Sequence, residues 1–430
     1  MAVLDPKAVL SGQARRGASG GVIVAIAVSS VCLGLFLGVW LIVGGLSFFA
    51  AALLSMVTLV PMMAIVMALD SLEPEPRNLL VATFLWGAGA SVVLSLLLEA
   101  FGGMTLSAFG GATDTRLAVG VAPVVEESMK ALAVFALFWF RRSQLNGITD
   151  GVVYAATSAL GFAAAENVEY YVAAAMDGGA PSLGVIFVMR GIMTPFCHPV
   201  FTSVTGIAIA LAVRQRGPAR TLLPIAGLLG AMLLHALWNG VATQGLGGFL
   251  IAMLAIIGVL VAILVALSRD RRQTIAQIDA CMRAYLPTGL VTWTDLAMLS
   301  SIGARNKARA WARSTHGTTG LNAMRDYQQA CTKLTMLHDR VRLGLISPLQ
   351  FEQQRWALLT LMRFARQAFL GTVHLAVPMV TAPWAQQYVT QPQFVAPAPF
   401  VPVQQSAPGP QFVPPATSMP QYAPPMYPGQ

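Results

Sequence analysis

Long apolar stretches separated by short polar loops dominate the first 268 residues of the sequence. A helix that crosses a bilayer needs about 20 mostly apolar residues. Eight stretches meet this requirement: residues 20–43, 47–69, 79–100, 117–140, 151–176, 185–213, 221–243 and 247–267. The pattern therefore predicts an all-α fold, a polytopic membrane bundle of about eight transmembrane helices within residues 20–268.

The pattern changes after residue 268. Over residues 269–370, apolar residues recur at helical spacing among charged residues. This pattern predicts a small cytosolic helical domain. Residues 371–430 contain no charged residue and are rich in Pro, Gln and Ala, which is typical of a disordered tail with polyproline II character. Residues 1–19 form a short N-terminal segment that we also expect in the cytosol.

Composition supports a membrane protein and argues against binding to nucleic acid. Hydrophobic residues make up 56% of the chain and charged residues 10%, whereas soluble domains contain about 25% charged residues. The net charge of +9 arises from residues 269–366, because residues 1–268 contain 12 basic and 12 acidic residues. A basic segment next to a membrane is expected to face the anionic cytoplasmic leaflet. The expected partner is therefore the lipid bilayer, and the net charge does not predict binding to nucleic acid.

The distribution of Lys and Arg predicts the orientation of the spans. Cytoplasmic loops carry the excess of these residues. With the N-terminus inside, the predicted inner segments hold 12 Lys and Arg residues, and the outer loops hold only Arg116. We therefore expect a multi-pass protein of the cell membrane with both termini in the cytoplasm.

Several ionisable residues lie inside the predicted spans, where each would cost about 3 kcal/mol if it faced lipid. They repeat at helical spacing, so that each helix presents a polar stripe. The depths of these residues, at 1.5 Å per residue, place them at a similar level of the bundle. We expect them to line one polar site: Glu126, Glu127, Lys130, Glu166, Arg190, His198, His235 and Asn239. Taken singly, each also has a structural interpretation, such as a buried Glu127–Lys130 ion pair.

Four motifs in these spans resemble those of the PrsW family of intramembrane proteases. They are EExxK at Glu126, Glu127 and Lys130, FxxxEN at Glu166 and Asn167, an HxxFT-like stretch at His198, and HxxxN at His235 and Asn239. The resemblance covers about residues 70–245 and extends, more distantly, to type II CAAX prenyl proteases and bacteriocin-processing proteins. That distant group usually has His where this chain has Glu166.

The resemblance implies an intramembrane endopeptidase, and the residues allow two chemistries. In the first, Glu166, His198 and His235 bind Zn²⁺ and Glu126 is the general base. In the second, which needs no metal, Glu126 activates water directly, and His235 with Asn239 stabilises the oxyanion. Glu127 and Lys130 would complete the catalytic group.

The resemblance suggests a single-span regulator, such as an anti-sigma factor, as substrate. Two other functions use the same polar cluster without catalysis. A transporter could use the carboxylates as a proton relay, and a signalling scaffold could use the cytosolic domain as its output. A transporter should show internal repeats, and we find no clear repeat in the sequence.

Overall fold

The computed structural model describes residues 5–10, 20–109, 111 and 113–371. Every regular element within these residues is helical, which confirms the prediction of an all-α fold. The predicted Pro-rich tail lies outside the described residues except for its first residue, Gly371. The predicted N-terminal segment is described only over residues 5–10.

Fourteen α-helices follow one another in the described part of the chain. They are α1 (Pro6–Leu10), α2 (Gly20–Gly44), α3 (Leu46–Leu69), α4 (Arg77–Leu85), α5 (Val92–Ala108), α6 (Asp114–Arg116), α7 (Ala122–Phe140), α8 (Ile148–Ile186), α9 (Cys197–Val213), α10 (Ala219–Ala242), α11 (Gly245–Arg283), α12 (Trp293–Leu299), α13 (Ile302–Arg342) and α14 (Pro348–Leu370). π-Helical segments follow α4 at Trp86–Ser91, α6 at Leu117–Val121 and α8 at Phe187–Met193. Short 3₁₀ turns lie at Arg142–Gln144 and Leu286–Thr288.

Six helical stretches in the described residues are long and apolar enough to cross a membrane. One of them, Ile148–Val213, is 66 residues long and includes two of the stretches predicted as separate spans. Its backbone departs from helical geometry at Gly178 and Gly179, where Gly179 has a φ of 61°. The helix α7 is not among the six, and it contains Glu126, Glu127 and Lys130. These three charged residues belong to the predicted polar site, and they also make α7 less apolar.

The helix α8 is central to the bundle and approaches its neighbours closely. Nearly every residue of α8 from Asp150 to Tyr171 is buried. A Cβ atom added to Gly151 would lie 2.2 Å from the carbonyl oxygen of Gly206 on α9, and one added to Gly87 would lie 1.9 Å from that of Ser158. Small residues at such positions allow helices to pack backbone against backbone in membranes. This packing fixes the position of the polar residues that α8 contributes.

The last part of α11 and helices α12–α14 share a separate hydrophobic core. The helix α11 runs without interruption across the boundary predicted at residue 268. The helix α13 bends back at Gly317, where φ is 61°. Its two arms pack together, and the buried Arg305 donates hydrogen bonds to Thr332 at 3.2 and 3.3 Å.

The loop between α3 and α4 joins the membrane bundle to this helical core. Glu73 in the loop accepts hydrogen bonds from Lys333 of α13 and from Asn146, both at 2.9 Å. Asn146 in turn accepts one from Arg340 at 2.9 Å, and Arg214 forms an ion pair with Asp339 at 3.0 Å. The network holds α13 against the polar ends of α3, α8 and α9.

A buried carboxyl in the same loop predicts that stability depends on pH. Burial raises the pKa of the Glu75 side chain from 4.5 to about 8, although the charge of Lys333 opposes this rise. Glu75 accepts a hydrogen bond from the hydroxyl of Tyr154 at 2.7 Å. The folded protein therefore retains a proton that the unfolded chain releases. This contribution is fully present below pH 4.5 and is lost as the pH rises toward about 8.

We expect the unfolding temperature in detergent to fall between pH 5 and pH 8. Glu75→Gln mimics the protonated acid and should reduce this dependence, with a gain of up to a few kcal/mol at pH 8. Burial also raises the pKa of Asp70 to about 7, so a smaller dependence should remain. Thermal unfolding of both proteins at several pH values measures the effect, and equal pH profiles would contradict it.

Candidate active site

Four helices bring their polar residues together inside the bundle. The helix α7 contributes Glu126, Glu127 and Lys130, and α8 contributes Glu166. His198 lies in the first turn of α9, and His235 lies on α10. The i, i+3 and i, i+4 spacing on α7 places both glutamates on the side of the helix that carries the lysine.

Lys130 is the centre of this group and is fully buried. Its Nζ atom lies 2.8 Å from Oε2 of Glu126, 3.0 Å from Oε1 of Glu127 and 3.0 Å from Nδ1 of His198. It also lies 4.0 Å from the ring centroid of Phe162. An ammonium group has three N–H donors, so these three partners use all of them. The buried charge is thereby fully hydrogen-bonded, as a charge removed from water must be.

Glu127 connects the lysine to the second histidine. This carboxylate is fully buried, and its Oε1 also lies 3.2 Å from Nδ1 of His235. Its other oxygen accepts a hydrogen bond from the Thr202 hydroxyl at 2.8 Å. The ring of His235 stacks on Phe201, with 5.0 Å between centroids. Carboxylate and stacked ring together fix the orientation of the imidazole.

Glu166 forms a second ionic group on the other side of His198. Its Oε2 lies 3.0 Å from Nε2 of His198 and also accepts a hydrogen bond from Arg190. Arg190 donates to the side chain of Asn167 at 2.9 Å and lies over the ring of Tyr170. The Oε2 atom of Glu166 and the guanidinium of Arg190 are therefore both held in place by neighbouring residues of the site.

Glu126, His198 and His235 have the geometry of a metal-binding group. One ligand atom from each lies within 4.8 Å of the other two. Ligands about 2.0–2.1 Å from a tetrahedral zinc are separated by roughly 3.4 Å, so a small contraction would suffice. Glu166, which the sequence analysis assigned as the third ligand, lies beside His198 but is not in this group of three.

The hydrogen bonds decide which imidazole nitrogens are free. Nδ1 of His235 faces the carboxylate of Glu127, so this nitrogen carries the proton and Nε2 has a free lone pair. A carboxylate behind a ligating histidine is the usual outer partner in zinc sites. Both nitrogens of His198 are occupied, by Lys130 and by Glu166. The residues fit a metal in donor type and spacing, provided that His198 gives up one of these bonds.

A cavity of about 370 Å³ opens onto these residues. Glu126, Glu166, His198, His235 and Asn239 all line it. The amide of Asn239 donates to the backbone carbonyl of Ala118 at 2.8 Å. Asn239 therefore shares the cavity with the predicted catalytic residues, although its hydrogen bond is to the π-helical segment before α7.

Some features of the site were not predicted from the sequence. Thr202 was not among the predicted site residues, and its hydrogen bond to Glu127 depends on how α7 and α9 pack. Two of the π-helical segments, Leu117–Val121 and Phe187–Met193, line or adjoin the cavity. Such segments are frequent at functional sites, but the sequence has no clear signal for them.

The fold and the site define a polytopic helical membrane protein with a polar, histidine-containing centre enclosed among its helices. Residues 75–268 match the family model described as "PrsW family intramembrane metalloprotease". This match covers somewhat less than half of the 430 residues and indicates that residues 75–268 resemble an intramembrane protease, a hydrolase that acts on membrane-protein substrates. Searches of curated proteins and of solved structures found no match to the chain.

Proposed function

We propose that the chain hydrolyses peptide bonds in membrane-embedded or membrane-proximal proteins, with Glu126 as general base. The observation that carries this proposal is the placement of Glu126 within 4.8 Å of both histidines, at the wall of a cavity. Peptide hydrolysis requires an activated water and a group that stabilises the developing oxyanion. A carboxylate and two imidazoles at one point supply both kinds of group.

The residues around Glu126 have distinct roles in this proposal. Lys130 holds Oε2 of Glu126 and orients the carboxylate toward the cavity. Glu127 keeps the proton of His235 on Nδ1 and so fixes its tautomer. His235 and Asn239, which both line the cavity, stabilise the oxyanion in the chemistry without a metal.

We also propose that His198 and His235 hold a zinc ion. When bound, zinc lowers the pKa of a coordinated water and polarises the substrate carbonyl. In this proposal Glu166 is the third ligand, and Glu126, close to both histidines, then takes the proton from the water. The alternative places Glu126 itself in the ligand set.

Metal content measured on purified variants separates these assignments. His235→Ala should lower the bound zinc because it removes the nitrogen that has a free lone pair. If Glu166 is the third ligand, Glu166→Gln should lower bound zinc and Glu126→Gln should retain it. The reverse pattern would identify Glu126 as the ligand. Wild-type protein that is active without metal and in the presence of chelators would refute the zinc proposal and leave the glutamate mechanism.

A single-span regulator, such as an anti-sigma factor, is the proposed substrate. The test is to coexpress candidate single-span proteins with the wild type and with Glu126→Gln and to compare the fragments. A fragment that appears only with the wild type identifies a substrate. Equal fragments with both proteins would show that Glu126 is not the base.

The proposed orientation in the cell membrane, with both termini cytoplasmic, makes a separate prediction. Reporter fusions after residues 145, 217 and 275 should read as cytoplasmic, and a fusion after residue 180 should read as external. The physical reason is the distribution of Lys and Arg: 12 of them lie in the predicted inner segments and one lies in the outer loops. An external reading at residue 275 would contradict the model.

A further inference from the structure

Carboxylates outnumber cations around the cavity. Six acidic side chains line it or touch its wall: Glu99, Asp114, Glu126, Glu127, Glu166 and Glu169. Among the described residues at this site, only Lys130 and Arg190 oppose them with a permanent positive charge. Lys130 already contacts Glu126 and Glu127, and Arg190 already contacts Glu166. Glu99, Asp114 and Glu169 contact neither of these two cations.

Glu99 and Glu169 are acids within long helices of the bundle, on α5 and α8. Both are half-buried and line the cavity. Neither accepts a hydrogen bond or forms an ion pair with another residue in the described part of the chain. Glu169 follows Glu166 by three residues on α8, so it lies on the same face about 4.5 Å further along the axis. An unpaired carboxylate in a membrane helix is costly and typically marks a functional site.

Ser95 provides a third, independent sign that a ligand belongs here. It also lines the cavity, is only 1% exposed, and its Oγ has no hydrogen-bond partner. It precedes Glu99 by four residues on α5, so the two side chains share one face of that helix. Buried hydroxyls in folded proteins almost always have a partner. The free hydroxyl and the two free carboxylates are therefore hydrogen-bond acceptors to which no described residue donates.

We propose that Ser95, Glu99 and Glu169 form a subsite for a cationic side chain of the substrate, Lys or Arg, near the bond to be cleaved. An ammonium group offers three donors and a guanidinium offers five, which matches the three acceptors. Binding would give these unpaired carboxyl groups hydrogen-bond donors and a counter-charge inside the bundle. The proposal rests on the proposed function, because it assumes that the cavity receives a polypeptide.

A binding experiment tests this subsite without requiring cleavage. The full-length protein carrying Glu126→Gln, which prevents turnover, is placed in lipid nanodiscs. The probes are apolar single-span peptides with one Lys moved through successive positions, and each is compared with its Gln counterpart. At one register we expect the Lys peptide to bind roughly tenfold more tightly, as expected for a close charge pair. The advantage should shrink at high salt.

Variants identify the residues responsible for the advantage. The double change Glu99→Gln/Glu169→Gln should reduce the Lys-to-Gln affinity ratio to about one, and Glu99→Lys/Glu169→Lys should favour a Glu peptide instead. Ser95→Ala should reduce the ratio partially and serves as a milder change if the double variants do not fold. The matched control is Asp177→Asn, which alters an exposed acid of α8 that does not line the cavity, and it should keep the full ratio.

The outcomes separate this proposal from the proposed function. A ratio near one at every register of the parent protein would overturn the subsite, as would a ratio that persists in the double Gln variant. Neither result depends on whether Glu126 is the general base. Conversely, cleavage that survives Glu126→Gln would overturn the catalytic assignment. The Lys-to-Gln affinity ratio alone would then still decide whether the subsite exists.

Discussion

Glu126→Gln is expected to lower the rate of substrate cleavage by roughly 10³-fold, within the range for loss of a general base. Glutamine keeps the size and polarity of the side chain but cannot accept the proton of the attacking water. Lys130 retains Glu127 as its counter-charge, so the buried cation is not left without a partner. The variant should therefore insert, fold and bind substrate.

Non-additivity provides a sharper form of the same prediction. When catalytic residues act as one unit, the enzyme loses nearly all of its activity if any one of them is removed. His198→Ala and His235→Ala should each abolish cleavage, and each double variant with Glu126→Gln should be no worse than the singles. The matched control is Asp177→Asn, an exposed carboxylate on α8, which should cleave at the wild-type rate. Cleavage by the Glu126→Gln variant at the wild-type rate would contradict the proposed site. So would a loss of rate in each double variant that equals the product of the losses in its two single variants.

Helical periodicity explains why much of the site was predictable. Glu126 and Lys130 are four residues apart, so any helix through them makes them neighbours, and the structure places them 2.8 Å apart. The cost of burying charges further required that the polar faces of several helices meet. Pairing within one helix and convergence of polar stripes both follow from these two arguments.

Partners on different helices were not predictable in this way. The third donor of Lys130 reaches His198, 68 residues away, and Thr202 reaches Glu127, 75 residues away. Such pairs depend on the rotation of each helix about its own axis, to within a fraction of a turn. The same limit applies to Glu166, whose motif suggested a ligand. Its carboxylate is held by Arg190 and His198, while Glu126 has a ligand atom within 4.8 Å of both histidines.

The π-helical segments were also missing from the prediction, although the break in α8 was not. The apolar pattern from residue 151 to 213 was divided at a polar, Gly-containing stretch, and the backbone of α8 departs from helical geometry within that stretch, at Gly178 and Gly179. The π-helical segment Phe187–Met193 then carries Arg190. A π-segment adds a residue to a turn and so rotates everything that follows it. Hydrophobic periodicity over so few residues cannot detect that rotation.

Lys130→Met is expected to destabilise the protein by about 3–5 kcal/mol, the usual cost of leaving a buried charge without its partner. Methionine fills a similar volume, so loss of packing contributes little. The change leaves Glu126 and Glu127 in the bundle without the cation that contacts both. Glu127 is fully buried and cannot turn to water for compensation. The expected result is a much lower unfolding temperature in detergent and a lower level of protein in the membrane.

A second change distinguishes loss of charge balance from loss of shape. Adding Glu127→Gln to Lys130→Met removes one of the two uncompensated charges, and the amide can still bond to Thr202 and His235. The double variant should therefore be more stable than Lys130→Met alone, which is a favourable coupling that a packing defect would not produce. Lys307→Met, which alters an exposed lysine, is the matched control and should change the unfolding temperature little. Equal stability of Lys130→Met and the wild type would show that Lys130 does not hold the two carboxylates together. A double variant less stable than either single would show that packing, rather than charge, dominates at this position.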